Sequence, residues 1–321
     1  MPERSIKPRA YDNLPSERYQ GRASFGEPPS KEKRSIWADK TLSMIATVLT
    51  GMGLSDQPDS KFFSSQLEQL KRDACPGYTL SPIQVRYGDT FTLTRQLLKV
   101  RPDYAGKVAV LNCASDTEVA GGWYFRRGTT QEDALCYSST LWPTLARWKK
   151  KYPWRSAVNR AVNLSENPAL CAGIFTPNVV IFRDELSKDC AILARREWVA
   201  VSVISVAALA CPPVVRALTT RFGVESRLKL NNDARTIRER FRMILRMAAH
   251  HGKSVLVLAA LGCGVWKCPP RQMAEMLKEC LNEPEFQGWF QEIWIGIYDK
   301  KVCEIWGEEF GVVKDDGRIT L

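Results

Sequence analysis

Histidine is almost missing from this chain, which has only the adjacent pair His250 and His251. No Cys-x-x-Cys pair occurs, and Cys263 and Cys268 are separated by four residues. Such a set does not complete a four-ligand zinc site, so no metal and no cofactor is expected. The ten cysteines are scattered, several in or beside apolar segments, and read as reduced core thiols. Long apolar runs are also lacking. The best, Val199 to Cys211, is broken by Ser202 and Ser205, whereas a spanning helix needs about 20 apolar residues. No membrane span is expected. The first residues, Met-Pro-Glu-Arg, open no apolar stretch, so no secretory signal is expected either. No internal repeat is visible.

What is present is an ordinary globular composition. The 321 residues are 45% apolar and 25% charged, which excludes wholesale disorder and a collagen-like or coiled-coil chain. The length supports a substantial core. The net charge of +11 points to a polyanionic partner, such as a nucleic acid or another phosphate polymer.

Residues 1–35 carry Pro2, Pro8, Pro15, Pro28 and Pro29 among many charges and few aliphatics. They read as a disordered basic tail. From Ile36 the pattern turns helical, with Leu42, Ile45, Ala46 and Leu49 on one period. Residues 36–80 are expected to form a helical accessory segment on the core, with a short helix around Phe62 to Arg72. Residues 81–321 then alternate. Strands are expected at Ile83–Tyr87, Val108–Asn112, Val179–Arg183, Val199–Val206, Val255–Leu261 and Ile293–Tyr298. Asp89 and Asp233 are candidate helix caps, Gly252 a helix stop, and Pro269-Pro270 a helix start. Near-continuous apolar strands between helices imply a three-layer α/β/α domain.

Two loops follow buried strands, where ligands bind in α/β sheets. One runs from Asn112 through Gly121-Gly122 to Gln131-Glu132-Asp133. Its glycines permit close approach of backbone to a ligand, and adjacent carboxylates can split acid and binding roles. The plainer alternative is that Glu132 and Asp133 merely offset a helix dipole. The second loop is Leu261-Gly262-Cys263-Gly264-Val265-Trp266-Lys267-Cys268. Small residues before a helix N-terminus suit a diphosphate, though a tight strand-to-helix turn has the same composition. The nucleotide P-loop spacing is absent. A third stretch, Trp148 to Trp154, interleaves three lysines with aromatics. It reads either as a weak nucleic-acid contact or as a solvated helix end with tryptophans packed inward.

Taken in order, these residues carry a resemblance. Val108 to Ala114, Gly121-Gly122, Gln131-Glu132-Asp133-Ala134-Leu135-Cys136 and Ser138-Ser139-Thr140-Leu141 resemble the microbial-type poly(ADP-ribose) glycohydrolase family. Phe175 to Asp184, Leu258 to Trp266 with Pro269-Pro270, and the Lys40-Thr41-Leu42 region add to it. The resemblance implies a macrodomain fold with a mixed sheet and an N-terminal helical extension. It implies hydrolysis of ribose–ribose bonds in poly(ADP-ribose), with release of ADP-ribose. Asp133 would stand at the catalytic acid and Glu132 would orient ribose hydroxyls. Asn112, Ala114, Gly121, Gly122 and Gln131 would line the ribose side, and Gly262, Cys263, Gly264, Val265 and Trp266 would wrap the diphosphate. Partners would be poly(ADP-ribose) or ADP-ribosylated protein, in the cytoplasm or nucleus.

The chain departs from the family pattern at three places. Asp133 replaces a glutamate and is one methylene shorter, roughly 1.5 Å of reach. Ala120 replaces the first glycine of a triplet. Ala207 to Pro213 differs from the usual Pro-Ala-Pro-Asn stretch. A displacement of about 1 Å costs on the order of a hundredfold in rate. The alternative reading is therefore a reader that binds ADP-ribose or its polymer with weakened turnover. A general nucleic-acid binder is the third.

Overall fold

The computed structural model describes residues 29–55, 59–154 and 171–311. The expected tail at residues 1–28 lies outside them. Within them, the chain enters on helix α1 (Lys31–Gly51), capped by Ser30. Lys31 to Ser35, expected in the tail, are therefore helical. Strand β1 (Lys61–Phe63) follows, then β2 (Gln84–Tyr87) and α2 (Thr90–Val100). Next come β3 (Val108–Ala114), α3 (Trp123–Arg126), α4 (Gln131–Ser138) and α5 (Leu141–Ala146). The second half holds β4 (Gly173–Ile181), β5 (Val199–Ala207), β6 (Val214–Thr220), β7 (Gly223–Leu228) and α6 (Asn231–His250). It ends with β8 (Val255–Ala259), α7 (Pro270–Leu281), β9 (Glu292–Ile297) and α8 (Lys300–Phe310).

Seven strands form one mixed sheet in the order β1-β4-β5-β3-β8-β9-β2. From β5 to β2 all neighbours are parallel, while β4 runs antiparallel to both β5 and β1. Successive strand residues point to opposite faces, and β3 shows it directly. Ala109 and Leu111 join a core with Ile237, Phe241 and Ile244 of α6 and Met273 and Leu277 of α7. Val108 and Val110 join the opposite core with Trp37 of α1, Phe91 and Leu97 of α2, and Leu135 of α4. Helices thus cover both faces, and the three-layer α/β/α architecture is what the apolar strands imply.

The differences from expectation have local causes. Phe62 and Phe63 belong to an edge strand, not a helix: Phe62 pairs with Ile174 and Phe63 with Gly173. Phe62 joins the second core, 5.9 Å from the Trp148 ring. Tertiary packing outweighs the weak helical pattern there. β4 begins at Gly173, earlier than expected, and crosses an irregularity between Thr176 and Val179. There Pro177 removes a ladder donor and Asn178 is left-handed at φ 56. Asp233 lies in the first turn of α6, whose cap is Leu230. Asp89 does cap α2, accepting from the Thr92 amide. The β6–β7 hairpin was not anticipated. It stands outside the main sheet and holds on through ion pairs, Arg271 to Glu225 at 2.7 Å and Arg227 to Glu275 at 2.5 Å.

One buried cation ties α1 to the site. Arg183, almost fully buried, donates to the Trp37 carbonyl and the Thr41 hydroxyl at 2.8 Å each, and to the Cys190 carbonyl at 2.8 Å. Thr41 in turn donates to the Tyr137 carbonyl on α4 at 2.6 Å. A buried charge is tolerable only with such full hydrogen bonding. The result fixes α1 against the helix that carries both candidate carboxylates.

Candidate active site

β3, β5 and β8 are adjacent and parallel, so the loops after their C-terminal ends gather at one edge of the sheet. Asn112, near the end of β3, is fully buried. Its amide donates to Glu132 Oε1 and to Ser205 Oγ on β5, each at 3.0 Å. Glu132 Oε2 accepts from the Ser115 amide at 2.9 Å. Glu132 is therefore pinned between the strand and the loop that follows it. Burial pushes its carboxyl up to about 8, with smaller opposing pulls from Asn112 and Ser115.

The loop closes over Glu132 through left-handed backbone. Ala120, Gly121 and Gly122 have φ of 48°, 59° and 78°. The chain thus keeps the left-handed turn at Ala120 although alanine pays for it. A Cβ on Gly121 would lie 3.4 Å from Glu132 Oε2, so this glycine places backbone directly against the carboxylate.

Asp133 is held differently. The side chain of Thr130 caps α4, and its amide and hydroxyl donate to Asp133 Oδ2 at 2.8 and 2.6 Å. This is a reciprocal capping box. Among the described residues, Oδ1 accepts no hydrogen bond. Asp133 is only 4% exposed, and burial pushes its carboxyl up to about 6 against the Thr130 hydrogen bonds and the nearby Arg34 and Arg126 charges. Gly128 lies against it: a Cβ there would be 2.4 Å from Oδ2.

Gln131 turns to the backbone, not to the cleft. It accepts from the Cys113 amide at 2.9 Å and donates to the Leu111 carbonyl at 2.8 Å. It thus locks α4 to the end of β3. Ala114 is fully buried and pairs with Ala207 across the sheet, so its side chain offers no surface to a ligand.

After β8, the second loop is a tight turn. Gly262 is left-handed at φ 77, and a Cβ there would meet Ala208 Cβ and Cys268 Sγ at 2.7 Å. Cys263 and Trp266 are half-buried, Gly264 and Val265 exposed. Among the described residues the amides of Gly264, Val265 and Trp266 donate to no protein group, the state expected of an anion cradle. The divergent stretch after β5 still packs here: the Cys211 amide donates to the Trp266 carbonyl at 2.8 Å and Cys268 Sγ to the Leu209 carbonyl at 3.3 Å.

The tryptophans of the third stretch pack inward. Trp154 is buried, and Trp148 donates to Ser60 Oγ at 2.9 Å. Its indoles do not offer a base-stacking platform, while Lys149, Lys150 and Lys151 stay exposed. Among the described residues no group of three or more His, Cys, Asp or Glu side chains is placed to hold an ion. No helix among them is long and apolar enough to cross a membrane.

Sequence reasoning missed Ser115, Gly128 and Thr130. Thr130 had a signal, since Thr-x-x-Asp before an apolar run is a capping-box pattern. Gly128 and the Ser115 amide had none, because their roles arise from tertiary contact.

Residues 32–184 match the family model described as microbial-type PARG, catalytic domain. The chain is similar to microbial-type poly(ADP-ribose) glycohydrolases. The poly(ADP-ribose) glycohydrolase of Thermomonospora curvata superposes with a TM-score of 0.63 at 20% identity, over 87% of this chain and 99% of that one. Its form bound to the inhibitor ADP-HPD gives 0.61 at 21% identity, over 86% and 99%. The Deinococcus radiodurans enzyme in complex with ADP-ribose gives 0.58 at 25% identity, over 80% and 96%. No curated protein matches. The fold is thus the one these glycohydrolases share, and the matched segment spans both candidate carboxylates.

Proposed function

We propose that this protein hydrolyses ribose–ribose glycosidic bonds of poly(ADP-ribose) and releases ADP-ribose. The observation that carries the reading is the pair of adjacent buried carboxyls at the start of α4, one pinned to Asn112 and Ser115, the other on Thr130. The match to the PARG catalytic family and the likeness to glycohydrolase structures support a glycosidic-bond hydrolase.

The chemistry follows from the environments. Breaking a ribose–ribose bond needs a proton on the departing oxygen as an oxocarbenium-like centre forms. Asp133 is buried, and its carboxyl is pushed up to about 6. Its Oδ2 is anchored by Thr130, which leaves Oδ1 to face the departing oxygen. Asp133 gives its proton to that oxygen as the C–O bond breaks. Water then adds its oxygen to the anomeric carbon and returns a proton to the Asp133 carboxylate. Glu132 holds the ribose hydroxyls, and Asn112 Oδ1, buried with no partner in the structure, accepts one more. The free amides of Gly264 to Trp266 take the diphosphate.

The capping box also favours a second reading. An aspartate with one oxygen fixed on Thr130 has less reach than a glutamate, so a reader of ADP-ribose with weakened turnover is the alternative. Timed release of ADP-ribose from poly(ADP-ribose), with calorimetric binding of ADP-ribose in parallel, separates the two. Release that is lost in Asp133→Ala supports the hydrolase. Binding without release makes the protein a reader, and neither overturns both.

A further inference from the structure

The two carboxyls have different neighbours. Asn112, Ser115 and Gly121 surround Glu132. Asp133 instead has Gly128 against it and the charges of Arg34 and Arg126 nearby. Gly128 touches the Asp133 carboxylate, and Arg34 of α1 donates from Nε to the preceding Arg127 carbonyl at 2.6 Å. The backbone of Arg127 and Gly128 is therefore held between Arg34 and Asp133. Arg34 also donates to the Pro29 carbonyl and makes no ion pair among the described residues.

Arg127 is the less expected of these. It is 9% exposed, with its guanidinium 5.5 Å from the Trp123 ring centre and 5.2 Å from that of Tyr124. Its Nη2 reaches Asp39 at 3.2 Å, while Nη1 is buried without a partner. The Tyr137 hydroxyl, one helical turn beyond Asp133, is likewise buried without one. Its ring stands 5.2 Å from Trp123. Buried polar groups are nearly always satisfied, so unpaired ones call for a partner. The outermost member, Arg126, is exposed and pairs with Glu118 at 2.8 Å across Gly122.

We infer that Arg34, Arg126 and Arg127 form an anion subsite on the leaving-group side of Asp133, which takes the diphosphate of the adjoining unit of the polymer, the one whose ribose oxygen departs. The inference rests on the proposed function and deepens it. It makes the protein selective for a polyanionic leaving group over a neutral one. Arginine suits the task, since its planar fork matches phosphate oxygens. In the free protein Arg34 and Arg126 favour the ionised form of Asp133. A diphosphate seated on them offsets that pull and leaves the acid its proton.

The test is calorimetry on the full chain carrying Asp133→Asn, titrated with ADP-ribose and with a ribose–ribose-linked dimer of ADP-ribose. The dimer is expected to bind about tenfold tighter than the monomer at low salt, the worth of one or two charge-assisted contacts. That advantage shrinks at higher salt and falls to about threefold or less when Arg34→Gln is added. Arg127→Gln is a second variant, and Arg34→Lys, which keeps charge but not the fork, retains part of the advantage. Melting curves check that each variant is folded, and Arg34, half-buried where Arg127 is buried, makes the safer variant. Equal binding of monomer and dimer, or an advantage that survives Arg34→Gln, overturns the subsite alone. Absence of ADP-ribose binding overturns the reading of the site and the subsite with it.

Discussion

Replacing Gly128 by alanine isolates the placement of Asp133. The backbone φ at Gly128 is not left-handed, so alanine brings no conformational strain, only a methyl group. That methyl would stand 2.4 Å from Asp133 Oδ2, 2.9 Å from Cγ and 3.0 Å from Oδ1. One of the two must move. The carboxylate is buried and fixed by two Thr130 hydrogen bonds at 2.8 and 2.6 Å, so its retreat breaks the capping box. Loss of such a cap costs roughly 1–2 kcal/mol, which lowers the melting temperature by about 2–3 °C in a chain of this size. A shift of about 1 Å in the acid costs on the order of a hundredfold in rate. Melting of Gly128→Ala, followed by its rate of ADP-ribose release, reads both. A variant that melts and turns over like the parent would refute the claim that Gly128 sets the position of Asp133.

Three further outcomes follow from the same geometry. Asp133 must carry its proton to act, and burial places its carboxyl near 6; the rate is expected to fall about tenfold per pH unit above that value, and a flat profile through pH 8 would contradict the acid role. Glu132 has its carboxyl raised from 4.5 to about 8 by burial. A raised carboxyl is protonated in the folded state, so its penalty is absent at acid pH and grows as pH rises from the unfolded value toward the folded one. At pH 7 it amounts to roughly 3 kcal/mol; Glu132→Gln, which removes it, is expected to melt higher than the parent at pH 8 and to show little gain at pH 4, and a lower melting temperature at pH 8 would count against a desolvated Glu132. Gly262→Ala forces a left-handed alanine into contact with Ala208 and Cys268 at 2.7 Å; it should weaken ADP-ribose binding about tenfold or more, and unchanged affinity by calorimetry would remove the second loop from the site.

The sheet was legible where the sequence pattern is local and one-dimensional. Val108 to Leu111 and Val255 to Leu258 are buried on both faces, and buried parallel strands read as unbroken apolar runs. The first turn of α4 was equally plain, because Gln131, Glu132 and Asp133 precede an apolar helix. The β6–β7 hairpin was not, since most of β6 is exposed and shows no alternation of apolar and polar residues. β1 was hidden for another reason: three residues become a strand only because β4 offers an edge. The site divides in the same way. Asn112, Glu132 and Asp133 stand in one stretch of chain and could be seen together. Arg34 stands 93 residues before Arg127, and nothing in either segment announces that α1 will bring them side by side.

The departures from the family pattern acquire a physical meaning in the structure. Ala120 keeps the left-handed turn that glycine would adopt at no steric cost. Asp133 keeps the helix-capping role with Oδ2, and among the described residues Oδ1 accepts no hydrogen bond. The segment after β5 loses the familiar residues yet remains hydrogen-bonded to the loop after β8. The changes thus fall around the candidate site, where Asn112 is bonded to Glu132 and Gly121 and Gly122 are left-handed.

Proton delivery by Asp133 is the step on which the proposed release of ADP-ribose depends. It is tested most directly by incubating the purified chain with poly(ADP-ribose) near pH 6 and following free ADP-ribose over time, beside Asp133→Asn, which retains the shape of the side chain and removes its acidity. The account predicts steady release from the parent and a loss of about a hundredfold or more in the variant, with ADP-ribose binding retained in both. Equal release from the two proteins would contradict it.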